Sequence, residues 1–223
     1  MRFLCLHGMG TNGKVFEVQT SRIRLSLGGG HEYVFVDGSV SAPAAPGVDL
    51  ITSSGEEFLR FAKDDDVDSA MQLYNDLSSF IESEGPFDGV MAFSEGAGVA
   101  ASLLAYQERL MAAQKSSPFR FKFGIFFCGA GAFDAESLQQ GILRELDPSV
   151  DGRVITMPTA HIWTRHDQVH PGFGQKLRAL CADGVAEEYL HDFGHSVPGA
   201  QGEEGVVEAT RVIRRTIERA TRT

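Results

Sequence analysis

Three residues far apart in the chain have the types and spacing for nucleophilic chemistry: Ser94, Asp167 and His195. Ser94 lies within Ala92-Phe93-Ser94-Glu95-Gly96-Ala97-Gly98. Residues 89–93 read as a buried strand and Glu95 opens a helical period, so Ser94 falls on the turn between them. In G-x-S-x-G elbows that turn is sharp, and the positions two before and two after the serine must be small because the strand and helix backbones nearly touch. Gly96 meets the second requirement, Ala92 meets the first with one extra methyl group, and Gly98 eases the crossing of helix over sheet. The unpaired N–H groups and positive dipole end of the helix face any oxyanion that forms beside Ser94. Serine is also a favoured N-cap, so the elbow alone leaves an inert capping role open.

A serine nucleophile needs a base, and the base needs a third group to orient it. The strand His161-Ile162-Trp163-Thr164 is followed by Arg165-His166-Asp167, and the strand ending near Leu190 by His191-Asp192-Phe193-Gly194-His195-Ser196. The order Ser, Asp, His, each on a loop after a later strand, is that of an α/β-hydrolase triad. Asp192 competes as the acid but lies too close in sequence to His195 to approach it from the neighbouring strand. His191 competes as the base from nearer the strand end. His161, inside a strand, reads as a core histidine, and His166 and His170 flank the acid loop without a required role.

The segment His7-Gly8-Met9-Gly10-Thr11-Asn12-Gly13-Lys14 supports three readings. Gly8, Gly10 and Gly13 match G-x-G-x-x-G after a strand, with Asp37 placed as a ribose-binding acid; that makes an NAD(P)-dependent oxidoreductase the alternative of a different class. The run also fits G-x-x-x-x-G-K, except that Val15 replaces the Ser or Thr that would hold magnesium. In the third reading its backbone amides complete an oxyanion hole.

These loops need a rigid frame. Apolar runs at residues 3–6, 33–36, 89–93, 123–127, 160–163 and 185–190 alternate with amphipathic stretches, the pattern of a parallel sheet buried on both faces by helices. Helical spacing is carried by Phe16, Thr20, Ile23 and Leu27, then by Met71, Tyr74, Leu77 and Ile81 after Asp64-Asp65-Asp66. It returns in Val99, Leu103 and Leu110, in residues 171–181, and in Val206, Thr210, Ile213, Ile217 and Ala220. Arg211, Arg214, Arg215 and Arg219 read as the solvated face of that last helix. Residues 37–55, rich in Ser, Ala, Pro and Gly, are either a lid or a long connection.

Composition narrows the choice. The 223 residues fit one domain, with 43% hydrophobic and 22% charged residues. A net charge of −10 argues against nucleic acid as a partner. No apolar run reaches membrane-spanning length. Residues 1–6 are too short for a secretory signal, Thr221-Arg222-Thr223 is no targeting tail, and Cys5, Cys128 and Cys181 form neither a metal pattern nor a disulfide framework. The expectation is a cytoplasmic protein.

Leu4-Cys5-Leu6-His7-Gly8, Asn12, Phe16, Gln19, Phe35-Val36-Asp37-Gly38, Phe87-Asp88-Gly89-Val90, Phe93-Ser94-Glu95-Gly96-Ala97, Pro158-Thr159-Ala160-His161 and Gly194-His195-Ser196-Val197-Pro198 together resemble the FSH serine hydrolases. The resemblance covers most of the chain. It implies an α/β-hydrolase whose six mostly parallel strands, numbered in chain order, lie 2-1-3-4-5-6 with helices on both faces and no large cap domain. It further implies Ser94, Asp167 and His195 as the triad, and an esterase or a thioesterase that releases or cyclises a polyketide-type acyl chain in secondary metabolism. The chain departs from the family's usual Gly-Phe-Ser-Gln-Gly elbow at Ala92 and Glu95, and from its frequent glycine near the acid loop at Thr164. The backbone N–H groups of Met9 and Glu95 are the expected oxyanion donors, and the Glu95 carboxylate is expected to disfavour anionic substrates. Topology suggests Met9, Phe133, Val169, Phe173 and Val197 around the acyl group. Neither a metal nor an organic cofactor is expected. The expected partner is a small acyl substrate, free or on an acyl carrier protein; Lys115, Arg120 and Lys122 are candidates for docking such a carrier.

Overall fold

The computed structural model describes residues 1–48, 52, 55–199 and 202–222. Six strands, β1 (Arg2–Leu6), β2 (Glu32–Val36), β5 (Gly89–Phe93), β6 (Phe123–Phe127), β7 (Thr159–Trp163) and β8 (Ala186–Leu190), form one sheet in the order β2-β1-β5-β6-β7-β8. Every pairing is parallel. Counting only these six strands, the arrangement is the expected 2-1-3-4-5-6.

Alternate residues of each strand feed two separate cores, which is why the strands are apolar throughout rather than alternating. Phe3, Cys5, Met91, Phe93, Phe123 and Ile125 meet Phe16 and Ile23 of α1 (Gly13–Leu27) and Val206, Val212 and Ile213 of α7 (Glu203–Arg222) on one face. Leu4, Leu6, Val90, Ala92 and Phe126 meet Leu73 and Leu77 of α2 (Val67–Glu84) and Val99 and Leu103 of α3 (Glu95–Ala112) on the other. Helices α1 and α2 start where a side chain relieves their free N–H groups. Asn12 accepts from Val15 N–H at 2.9 Å and Asp66 from Ser69 N–H at 2.9 Å. On α7, Arg211, Arg214, Arg215 and Arg219 lie exposed, the last two paired with Glu187.

Two features go beyond the expected outline. Strands β3 (Val40–Ser41) and β4 (Leu59–Arg60) pair antiparallel beside the main sheet, so the stretch after Asp37 is partly ordered by a ladder of its own. Residues 49–51 and 53–54 of the segment considered as a lid lie outside the described residues. Short helices α4 (Ala135–Leu138) and α5 (Pro148–Asp151) follow β6, capped by Asp134 and Asp147; Asp134 also pairs with Arg109 and Arg144. Residues 173–179 form α6 (Phe173–Ala179). Among the described residues no helix is long and apolar enough to cross a membrane.

Candidate active site

Ser94 ends β5 with φ 53° and ψ −120°, a backbone conformation that side chains other than glycine's rarely adopt, and its hydroxyl makes no capping hydrogen bond to α3. The N-cap reading is thereby replaced: the hydroxyl points to the C-terminal edge of the sheet. The elbow is tight because β1 lies directly against it. Gly96 donates to His7 O at 3.1 Å, and a Cβ at Gly96 would stand 2.6 Å from Leu6 O. Both neighbours are backbone and cannot turn aside. Gly96→Ala is therefore expected to destabilise the fold by about 1–3 kcal/mol, read as a lower urea midpoint at unchanged slope.

At the same edge, His195 Nε2 lies 2.9 Å from Ser94 Oγ, and His195 Nδ1 lies 2.6 Å from Asp167 Oδ2. The second oxygen of Asp167 accepts the N–H groups of Val169 at 3.0 Å and His170 at 2.8 Å. Burial opposes ionisation of Asp167, but the His170 N–H, the His195 hydrogen bond and charge, and the Val169 N–H outweigh it and hold the carboxyl below its ordinary range. Thr164 supports the same turn, its hydroxyl accepting His166 N–H at 3.2 Å.

The rivals are placed elsewhere. Asp192 is exposed. His191 is buried, accepts Phe193 N–H at 3.2 Å, and is pushed down to about 4 by burial. His161 is buried within β7 beside Thr159 and pushed down to about 3 for the same reason.

A sequence model described as Serine hydrolase (FSH1) matches residues 1–206. The chain belongs to the FSH1 serine hydrolase family. Esterase FPY3 of Fusarium mangiferae is 36% identical over 99% of this chain and 98% of its own. Esterase OVCA2 of Danio rerio is 31% identical over 90% and 91%. Solved structures share the fold at lower identity. Arabidopsis thaliana SOBER1 superposes with a TM-score of 0.58 at 16% identity over 97% of this chain and 99% of its own. Zea mays acyl-protein thioesterase 2 gives 0.57 at 17% identity over 97% and 93%. The protein is accordingly an enzyme, a serine hydrolase with esterases among its relatives.

In this FSH1 hydrolase the cleft beside Ser94 holds about 510 Å³ and is bounded by Met9, Gln19, residues 43–48, Phe93, Val169, His170 and Ser196. Met9 and Val169 thus stand where topology suggested. Three other expected contacts do not line it. Phe133, whose N–H donates to Ser102 Oγ at 2.8 Å, borders a second hollow of about 350 Å³ with Arg60 and Leu143. Phe173 stacks on the ring of His170 at 5.0 Å. Val197 is buried in the core under α1 and α7.

The glycine loop is also accounted for without a nucleotide. Asp37 Oδ1 accepts Gly13 N–H at 2.7 Å, so the supposed ribose acid holds the start of α1. Gly10, at φ 72°, faces Ala45, to whose N–H its carbonyl is bonded at 2.9 Å. His7 is buried, its Nε2 accepting Gly38 N–H at 2.9 Å.

The Glu95 carboxylate does not face the cleft. It accepts from Phe61 N–H at 3.0 Å and Arg60 Nε at 3.3 Å; burial raises its pKa against these stabilising bonds. Lys115, Arg120 and Lys122 precede β6, whereas Ser94 follows the parallel β5, so they lie at the opposite sheet edge; Lys122 is also paired with Asp88 at 2.7 Å.

One neighbour of the site was not anticipated. Cys128, just after β6 with φ 41°, lies 3.6 Å from Ser196 O and 3.9 Å from Gly194 O, the carbonyls on either side of His195. Burial pushes its thiol up to about 12, so it remains a neutral donor. The signal was topological: β6 separates β5 from β7, so the residue after it must sit between Ser94 and Asp167. Cys128, Asp167 and His195 are the one group of metal-ligand types converging within 4.8 Å among the described residues, and two of them are already bonded to each other.

Proposed function

We propose that this FSH1 hydrolase cleaves acyl esters or thioesters through an acyl-enzyme on Ser94. The observation that carries this reading is the continuous relay from Ser94 Oγ through His195 to Asp167, at 2.9 and 2.6 Å. His195 Nε2 takes the hydroxyl proton as Oγ bonds to the acyl carbon, and Asp167 stabilises the resulting imidazolium. The oxyanion lies against the N–H groups of Met9 and Glu95. Their neighbours are engaged elsewhere, Gly10 with Leu59 O at 2.8 Å and Gly96 with His7 O at 3.1 Å. Each such donor is worth about 2.7–4 kcal/mol in the transition state. Collapse breaks the bond to the leaving alkoxide or thiolate, which takes the proton from His195. Water then loses a proton to His195 and attacks the acyl-enzyme ester, and His195 returns that proton to Ser94 Oγ as the acyl bond to it breaks, freeing the acid.

A half-open, largely apolar cleft of about 510 Å³ suits a medium acyl chain. The finer reading is release or cyclisation of a polyketide-type chain, free or on a carrier protein, in the cytoplasm. The esterase names of the relatives favour a second reading, a carboxylesterase on small esters. Incubation with p-nitrophenyl esters and acyl N-acetylcysteamine thioesters of graded length tests the proposal. The expected result is a burst of leaving group stoichiometric with protein, followed by turnover, with the ester-to-thioester ratio of kcat/KM choosing between the readings. Absence of burst and turnover across both series would refute it.

A further inference from the structure

We propose that Glu95 is a positioning residue: its carboxylate ties β4 to the nucleophile elbow and so sets the spacing between the Met9 and Glu95 N–H groups that receive the oxyanion. This rests on the serine-hydrolase reading above. Those two donors come from separate loops, one after β1 and one after β5, and their separation decides whether both reach a single oxygen.

The short strand Leu59–Arg60 touches both loops. On one side it is bonded to the loop after β1: Gly10 N–H donates to Leu59 O at 2.8 Å, and Leu59 N–H donates to Thr11 O at 2.8 Å. Asn12 adds a third link, its Nδ2 donating to Glu57 O at 3.0 Å. On the other side, the next two residues hold Glu95 by both oxygens, Arg60 Nε on Oε1 at 3.3 Å and Phe61 N–H on Oε2 at 3.0 Å. Three consecutive residues therefore join the neighbours of Met9 to the side chain of Glu95.

The brace is stiff at each end. The Phe61 ring is buried and packs on the His7 ring at 4.7 Å, just before the donor loop. Arg60 is fixed in turn by Asp64 at 2.9 Å, leaving its side chain 17% exposed against 20% for Glu95. Charge-assisted bonds at that degree of burial are stronger and more directional than surface pairs. Glu95 thus acts at a distance from the cleft, through the peptide that follows Ser94.

A purely structural role and a positioning role differ in kinetics. Displaced oxyanion donors weaken only the transition state, so kcat falls while KM holds. Glu95→Ala is expected to lower kcat roughly 10- to 100-fold with KM changed less than about threefold. A trifluoromethyl ketone, which forms a tetrahedral adduct on the serine, should lose affinity in the same proportion. Glu95→Gln, which keeps an acceptor for Phe61 N–H, should recover most of the loss. A folded Glu95→Ala enzyme with wild-type kcat, a defect confined to KM, or a defect that Gln does not relieve would each overturn the inference. Should Glu95→Ala fail to fold, Arg60→Met serves instead: kcat should fall about three- to tenfold at constant KM, and an unchanged kcat overturns the proposal. Failure of the underlying reading looks different, because the wild-type protein itself would then form no acyl-enzyme.

Discussion

Ser94→Ala is expected to lower kcat on the order of 10⁵- to 10⁶-fold and to abolish labelling by a fluorophosphonate, because in the proposed reaction the hydroxyl oxygen bonds to the acyl carbon. The variant should fold, since the Ser94 hydroxyl accepts no capping N–H and its partner is His195. Ser94→Gly gives the sharper result. At φ 53° and ψ −120° a serine is strained in a way glycine is not, and such conformations carry roughly 1–3 kcal/mol. The glycine enzyme should be equally inactive yet have a higher melting temperature than wild type. Loss of activity together with gain of stability would mark the strain as maintained for the nucleophile. Normal probe labelling of a folded Ser94→Ala variant, or a melting temperature for Ser94→Gly below that of Ser94→Ala, would contradict this account.

What could be read from the sequence depended on whether a residue's role is set by its own neighbours in the chain. The strands were legible because Gly89–Phe93 and Phe123–Phe127 are buried on both faces and so apolar at every position. The elbow was legible because the small residues it needs, Ala92 and Gly96, lie two positions before and two after Ser94. Asp167 and His195 followed from strand order, since residues after parallel strands emerge at one edge. Asp37 shows the limit: an acid closing β2 has the same spacing whether it binds a ribose or the N–H of Gly13, and only geometry shows the latter. Of the expected pocket residues, Met9 and Val169 line the cleft, and the others miss it for a related reason. Phe133 and Val197 lie on loops at the correct edge, but one packs against the core on the α2–α3 face and the α1–α7 core takes the other. The pair β3 and β4 was not legible because two-residue strands have no period to detect; their pairing depends on backbone groups nearly twenty residues apart. Glu95 was misread similarly. Its place beside Ser94 suggested a carboxylate facing substrate, whereas Arg60 and Phe61 draw it away.

Asp167→Asn is expected to lower kcat about 10⁴-fold with little change in KM, and the structure dictates why. Oδ1 of Asp167 accepts two backbone N–H groups, from Val169 and His170, so it must remain an acceptor. An asparagine there has to place its carbonyl oxygen at that position, which leaves its NH₂ facing His195 Nδ1. Nδ1 must then accept, the ring proton moves to Nε2, and Nε2 meets the Ser94 hydroxyl as a donor rather than a base. The loop geometry is retained, so the loss is one of tautomer and charge. The same substitution has a signature in stability. Because the folded-state pKa of Asp167 is depressed, its ionised form adds stability above the ordinary carboxylate range, and this is lost as pH falls through the depressed value. Urea unfolding should therefore show wild type ahead of Asp167→Asn at neutral pH, with the gap closing in acid. Asp192→Asn, which alters an exposed carboxylate, should leave kcat within about twofold. An Asp167→Asn enzyme retaining a tenth or more of wild-type kcat would mean that the His195 tautomer does not limit the reaction, and with it would go the role assigned to the Asp167 carboxylate.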